Sequence, residues 1–205
     1  MIYLFRHGEI MGADIKRFIG QSDIDLSPVG RRQAMYWQHH LSNIQWDRVF
    51  SSSLCRTVEM AGIISGMPPN KIQQVDALGE IDLGQWEGIP FSTIKKKQTA
   101  QWEARGADLA GYRPPEGESF SDLAQRAVPA FHQLVTRYTG NLLVVAHAGV
   151  NRVILADLLG YELPKLFSIP QAYGCLNRIE KIDSGILIHQ INQIPDIDHS
   201  PVNTF

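Results

Sequence analysis

The chain has 205 residues, of which 44% are hydrophobic and 20% charged. That balance excludes a disordered chain, a collagen-like chain and a charged tail protein. Nineteen Lys and Arg against 21 Asp and Glu give a formal charge of −2. Nothing global then draws the chain to nucleic acid or an acidic membrane, and any anion site must be a local cluster. At roughly 150 residues per domain, the length fits one large α/β domain, or one domain with a cap, better than two full cores. Cys55 and Cys175 lie far apart without Cys-x-x-Cys spacing. They read as free thiols of a reducing compartment, not a zinc site or a disulfide framework. Met1 to His7 lacks the basic stretch and long apolar run of a signal peptide. No stretch approaches the ~18 apolar residues of a membrane span. The expectation is a soluble, cytoplasmic protein with no nucleic-acid or membrane partner.

Ile2 to Phe5 is a short apolar run, as in a buried parallel strand. A loop rich in Gly and Asp follows. Ser27-Pro28 then opens a helix, with Ser27 as cap and Ala34, Trp37 and Leu41 as its apolar face. Val49-Phe50 is a second strand. The next helix carries Leu54, Val58, Ala61 and Ile64, and Gly66 and Pro68-Pro69 stop it. Ile72 to Val75 is a candidate third strand, and Gly79 to Pro90 an irregular loop. Phe91 to Trp102 reads as a weakly amphipathic helix, and Ala104 to Glu118 as a mobile segment or lid.

Ser119 and Asp122 form a capping-box-like start to the longest helix. Its stripe is Phe120, Leu123, Ala127, Phe131, Leu134 and Tyr138, with Pro129 expected to bend it. Leu142 to Ala146 is the clearest buried strand and ends at His147. A helix from about Val150 to Leu159 follows, capped by Gly160. Cys175 to Ile179 and Ile186 to Ile191 flank Asp183-Ser184-Gly185, which reads as a hairpin closing one edge. Alternating strands and helices imply an α/β three-layer sandwich. Its central sheet is mostly parallel, with an antiparallel C-terminal edge and a small helical or loop cap. Ligands in such a sheet sit at the carboxyl ends of the strands.

Two histidines, His7 and His147, end two of the buried strands and so converge at that edge. Arg6 adjoins the first. Arg56 lies in the first turn of a helix, where the dipole disfavours a cation unless an anion also binds there. Glu80, Asp82 and Glu87 in the Gly-rich loop are all candidate general acids, and sequence alone does not choose among them. Phe18, Trp86, Trp102, Tyr112 and Tyr173 could stack on a substrate ring or simply pack the cap. Lys95-Lys96-Lys97 reads as a solvated helix face, with attraction of an anionic substrate as the other reading.

Leu4-Phe5-Arg6-His7-Gly8-Glu9 resembles the signature of the histidine phosphatase superfamily, the phosphoglycerate mutase-like proteins. The match continues through Ser52 to Thr57, Glu80-Ile81, Pro115 to Ser119 and Val145 to Gly149. It implies one domain over 1–205 with a cap or lid insertion at about 88–118. It implies that His7 is the nucleophile, that Arg6, Arg56 and His147 hold the phosphoryl oxygens, and that Glu80 protonates the leaving oxygen. It implies no metal and no cofactor. Many relatives carry an Asn where this chain has Ala13. That phosphate contact is expected to be lost or to move to Gln21 or an N–H near Gly20. Ala148 departs from a second Gly but leaves its backbone N–H for phosphate. The chain's compact length and the Gln171 to Asn177 block are most similar to the α-ribazole phosphatase branch. A small phosphomonoester, α-ribazole 5′-phosphate first, is the implied substrate. The alternatives are another sugar or glycerate phosphate, a phosphoglycerate mutase, or a non-catalytic phosphate-binding module. The C-terminal hairpin could pair two copies as a homodimer.

Overall fold

The computed structural model describes residues 1–183 and 185–197. Ser184 of the expected hairpin turn, and residues 198–205 of the expected domain, lie outside the described residues.

Six strands form one sheet: β1 (Ile2–Arg6), β2 (Arg48–Ser51), β3 (Gln73–Gln74), β4 (Leu142–Ala146), β5 (Leu176–Ile182) and β6 (Gly185–Gln193), in the order β3-β2-β4-β1-β5-β6. β1 to β4 pair parallel among themselves, while β5 runs antiparallel to β1, and β6 to β5. Sheet faces follow from the period of two. Ile2, Leu4, Leu142 and Val144 enter one apolar core, with Leu123, Ala127 and Phe131 of α5 (Phe120–Arg137) and Val150 and Val153 of α6 (Ala148–Leu159). Tyr3, Phe5, Leu143 and Val145 enter the other, with Ala34 and Trp37 of α1 (Pro28–His40) and Met60 and Ala61 of α2 (Cys55–Ser65). These are the three expected layers. No described helix is long and apolar enough to cross a membrane.

The local signals act as anticipated at most ends. Ser27 Oγ accepts from the Gly30 N–H at 3.1 Å, and Ser119 and Asp122 form the full capping box. Gly66 and Gly160 close α2 and α6 at φ 70° and 65°, a left-handed conformation that a side chain resists. α5 runs through Pro129 without a break. α6 begins at Ala148, two residues earlier than expected, because His147 is its N-cap residue.

The cap differs from expectation. The single helix over 91–102 is two, α3 (Phe91–Lys97) and α4 (Thr99–Ala107). Gln98 leaves helical geometry between them (φ −132°, ψ 49°), and its Oε1 accepts from Trp86 Nε1 at 2.8 Å. That buried indole needs an acceptor, and the break supplies one. Residues 104–107, expected in an irregular segment, are the last turn of α4. Pro114 to Glu118 is fastened: the Gln85 N–H donates to the Pro115 carbonyl at 2.9 Å and the Glu118 N–H to the Asp82 carbonyl at 2.8 Å.

A chain of buried amides holds β5 to the rest. Asn177 Nδ2 donates to the Leu4 carbonyl (3.0 Å) and to Gln171 Oε1 (3.1 Å). Asn177 Oδ1 accepts from Gln171 Nε2 (2.8 Å) and the Asn192 N–H (3.0 Å). Replacing this amide leaves several buried groups unpaired, each costing about 1–3 kcal/mol. Asn177→Leu, matched in volume, should therefore lose about 3 kcal/mol of unfolding free energy in urea titration. A change below about 1 kcal/mol would show that the amides add nothing beyond packing.

Candidate active site

Register builds the centre. β1 and β4 pair Arg6 with Ala146, so the next residues, His7 and His147, leave the sheet side by side. The His7 N–H donates to the Ala146 carbonyl at 3.0 Å, and the ring centroids lie 5.2 Å apart. Both rings are buried, His147 completely.

The tautomers follow from the partners. His7 Nδ1 lies 2.7 Å from the Gly8 carbonyl, which can only accept. Nδ1 therefore carries the proton and Nε2 keeps its lone pair. His147 Nε2 lies 2.8 Å from Ser52 Oγ, which lies 2.7 Å from Thr57 Oγ1, and Thr57 Oγ1 donates to the Leu54 carbonyl at 2.8 Å. Counting protons along that chain puts one on His147 Nε2, donated to Ser52. The buried His147 Nδ1 has no partner. Burial, together with Arg6 and Arg56, holds the His7 pKa well below the ordinary histidine value. Burial, His7 and the arginines do the same for His147. Both are neutral near pH 7.

Arg6 and Arg56 are held by backbone carbonyls, and neither forms an ion pair among the described residues. Arg6 donates to the Gln171 carbonyl at 2.6 Å, and its guanidinium lies 3.8 Å over the Tyr173 ring. Arg56 donates to the carbonyls of Ser22 (2.6 Å) and Gly20 (2.7 Å). The Nε of each is buried without a partner. Burial lowers both pKa values, the mark of desolvated cations without a bound counter-ion. A buried charge costs several kcal/mol when uncompensated, and an anion set among these donors offsets that cost.

Glu80 is the acid the geometry brings in. It is buried, its Oε2 accepts from the Gly149 N–H at 3.1 Å, and its Oε1 from the Ile81 N–H at 3.0 Å. A Cβ at 149 would meet Glu80 Oε1, so a side chain there would push the carboxylate from its place. Asp82 and Glu87 do other work. Asp82 Oδ1 accepts from the Gly84 N–H at 2.8 Å. Glu87 accepts from the N–H groups of Gly20 (2.8 Å), Gln21 (3.4 Å) and Ser22 (3.1 Å), and so shapes the loop.

That geometry corrects the place given to Gly20 and Gln21. Their backbone N–H groups point at Glu87, so neither is offered to a ligand, and the Gln21 amide donates one of its two protons to the Glu80 carbonyl at 2.5 Å. Ala148 opens α6, where first-turn N–H groups lack helical partners. Phe18 and Trp86 are core residues, whereas Tyr173 alone of the five aromatics touches His7, at 5.6 Å between centroids. Lys95, Lys96 and Lys97 are exposed. Ser52, Gln171, Arg105, Arg126 and Arg152 were not assigned roles from sequence, since each acts through a contact that forms only on folding. Arg152 had one signal, its place on the helix that follows His147.

Among the described residues no three His, Cys, Asp or Glu side chains cluster as a metal site would. Both thiols are free, and burial pushes Cys55 up to about 12 and Cys175 up to about 11.

The depressed histidines make a stability prediction. Their folded pKa values lie below the unfolded value of about 6.5, so the unfolded chain binds more protons as pH falls through that value. Stability should be full above pH 7 and fall between about pH 6.5 and 5, before carboxylates titrate. Chemical denaturation across that range checks it. His147→Gln should flatten the slope, and an unchanged slope would contradict the burial account.

The histidine phosphatase superfamily (branch 1) family model matches residues 2–194. The chain is 35% identical over 187 residues to 6-phosphofructo-2-kinase/fructose-2,6-bisphosphatase of Gallus gallus, covering 85% of this chain and 38% of that protein. It thus spans about two fifths of the length of the curated relatives it matches. The solved structure of Bacillus stearothermophilus YhfR is similar at TM-score 0.82 and 30% identity, over 92% of this chain and 94% of that one. Alpha-ribazole phosphatase from Shigella flexneri shares the fold at TM-score 0.84 and 23% identity, over 94% and 96% of the two chains. Paired strand-end histidines, two arginines awaiting an anion and this match over nearly the whole chain have one reading: the chain belongs to the histidine phosphatase superfamily.

Proposed function

We propose that the chain is a phosphatase of small phosphomonoesters that works through a phosphohistidine on His7. The observation that carries this reading is the Nδ1–H bond to Gly8, which leaves Nε2 as a lone-pair donor in the field of two guanidinium groups whose buried Nε atoms have no partner. Nε2 attacks phosphorus, the N–P bond forms, and the bond to the ester oxygen breaks. The Glu80 carboxyl gives its proton to the departing oxygen. In the second step water attacks phosphorus and gives its proton back to Glu80, the N–P bond breaks, and phosphate leaves. Arg6, Arg56 and His147 balance charge on the transferring oxygens, which is most of what phosphoryl transfer requires. His147 Nδ1 becomes a donor when its ring takes up a proton with the bound dianion.

Two substrate readings have support. α-Ribazole 5′-phosphate rests on architecture shared at 23% identity. A sugar phosphate bearing a second anionic group rests on the fructose-2,6-bisphosphatase in the name of a relative 35% identical. One observation favours the second. Arg105 of α4 and Arg152 of α6 lie 5.9 and 5.1 Å from the Phe167 ring, and neither has an ion pair among the described residues. Burial lowers both pKa values, and Arg152 lies within the field of Arg6 and Glu80. A second phosphate would offset that charge, whereas a monophosphate leaves it unused.

The test is phosphate release, in EDTA, from a panel holding α-ribazole 5′-phosphate, fructose 2,6-bisphosphate, hexose monophosphates and 3-phosphoglycerate. The bisphosphate should show the highest kcat/KM, and Arg105→Gln and Arg152→Gln should each raise its KM about tenfold with kcat little changed. A leading α-ribazole ester would reverse the substrate reading, and isomerised 3-phosphoglycerate would mark a mutase. His7→Ala should abolish turnover yet still bind phosphate, and activity in that variant would end the assignment. Glu80→Gln should slow alkyl esters about 100-fold or more and activated aryl esters far less, since only a poor leaving group needs the proton.

A further inference from the structure

General acids must be held within hydrogen-bond reach of the atom they protonate. Glu80 sits in a loop without regular structure, between two 3₁₀ turns, Asp76–Leu78 and Gly84–Trp86. Such a segment does not fix a side chain by itself. Arg126, on α5, is what fastens it from behind.

The Arg126 guanidinium makes five hydrogen bonds. Nη1 donates to the carbonyls of Ala77 and Gly79, each at 2.9 Å. Nη2 donates to the carbonyl of Glu80 at 2.9 Å. Nε and Nη2 also form a two-point pair with the Glu118 carboxylate, each at 2.8 Å. Glu118 in turn accepts from the Asp82 N–H at 3.0 Å. The loop is thus gripped at residues 77, 79, 80 and 82 by one ion pair, with Glu80 inside the grip. The Gln21 amide adds a second donor to the Glu80 carbonyl. The planar fork of arginine can serve three carbonyls and a carboxylate at once, and the point charge of lysine cannot. Among the described residues, no hydrogen bond joins Glu118 or Arg126 to His7 or His147. The Arg126 charge is also felt at His147, where it is one of the cations that lower the imidazole pKa.

We infer that Arg126, locked by Glu118, is a positioning residue for the general acid, setting the Glu80 carboxyl where it meets the leaving oxygen. The inference rests on the proposed role of Glu80 and predicts a loss that depends on the leaving group. A residue that merely stabilises the fold would lower all substrates alike.

The experiment compares kcat/KM, which reports the step that expels the leaving group, for p-nitrophenyl phosphate and for an alkyl phosphate in wild type, Glu80→Gln, Arg126→Lys, Glu118→Gln and Gln21→Met, with Tm for each. Arg126→Lys and Glu118→Gln should lose about 30-fold on the alkyl ester and only about threefold on the aryl ester. Gln21→Met, on an exposed side chain, should lose in the same sense but less. Arg126→Lys placed in Glu80→Gln should add no further leaving-group dependence, because the group it positions is gone. Equal losses on both esters in the Arg126 and Glu118 variants, with Glu80→Gln still selective, would overturn the positioning role alone. Equal losses in Glu80→Gln itself would instead overturn the acid assignment. Should Arg126→Lys fail to fold, Gln21→Met and Glu118→Gln decide the matter by the same ratio.

Discussion

Everything at the site depends on the parallel register of β1 against β4. Pairing Arg6 with Ala146 obliges the next residues to leave the sheet together, and both are histidines. A slip of one residue would turn His7 to the other face and put Arg6 in its place. The register is well protected. Side chains from the two strands fill both cores, and none of Leu4, Phe5, Val144 and Val145 is exposed. Asn177 adds a polar lock, fixing β5 against the Leu4 carbonyl and, through Gln171, reaching the carbonyl that Arg6 uses. Fold stability and site geometry therefore share atoms.

Electrostatics supplies the second constraint. Among the described residues no carboxylate is salt-bridged to either desolvated guanidinium: Arg6 is held by a backbone carbonyl and the Tyr173 face, and Arg56 by two backbone carbonyls. Carbonyl dipoles orient a cation without cancelling its charge. The Glu80 side chain is occupied by two N–H groups. The pocket is left positive while its histidines stay neutral. That combination suits a dianion and keeps Nε2 of His7 nucleophilic. A charged imidazole could not attack, and a salt-bridged arginine would not need the substrate.

Much of this was legible before folding. A buried strand ending in His reads directly from the sequence, as do Ser27, Ser119 and Gly160 at helix ends, because those signals are local. The choice among Glu80, Asp82 and Glu87 was not legible. It depends on which carboxylate meets the Gly149 N–H, sixty-nine residues away in sequence. Gly20 and Gln21 were misplaced for the same reason: Glu87 takes their N–H groups only once its loop has folded over them. The helix over 91–102 broke where the Trp86 indole needed an acceptor. Arg126 is an arginine on an amphipathic helix, and although Glu118 lies eight residues earlier, the carbonyls it grips lie 46 to 49 residues earlier.

The central claim is that His7 Nε2 takes the phosphoryl group, and the most direct measurement is to trap it. The protein would be quenched into alkali during turnover, where a phosphohistidine survives, digested, and the phosphorylated residue located by mass spectrometry. The account predicts a phosphoryl group on His7, at Nε2, present in wild type and accumulating when hydrolysis is slowed. Turnover with no covalent intermediate, or a phosphoryl group on any other residue, would contradict it.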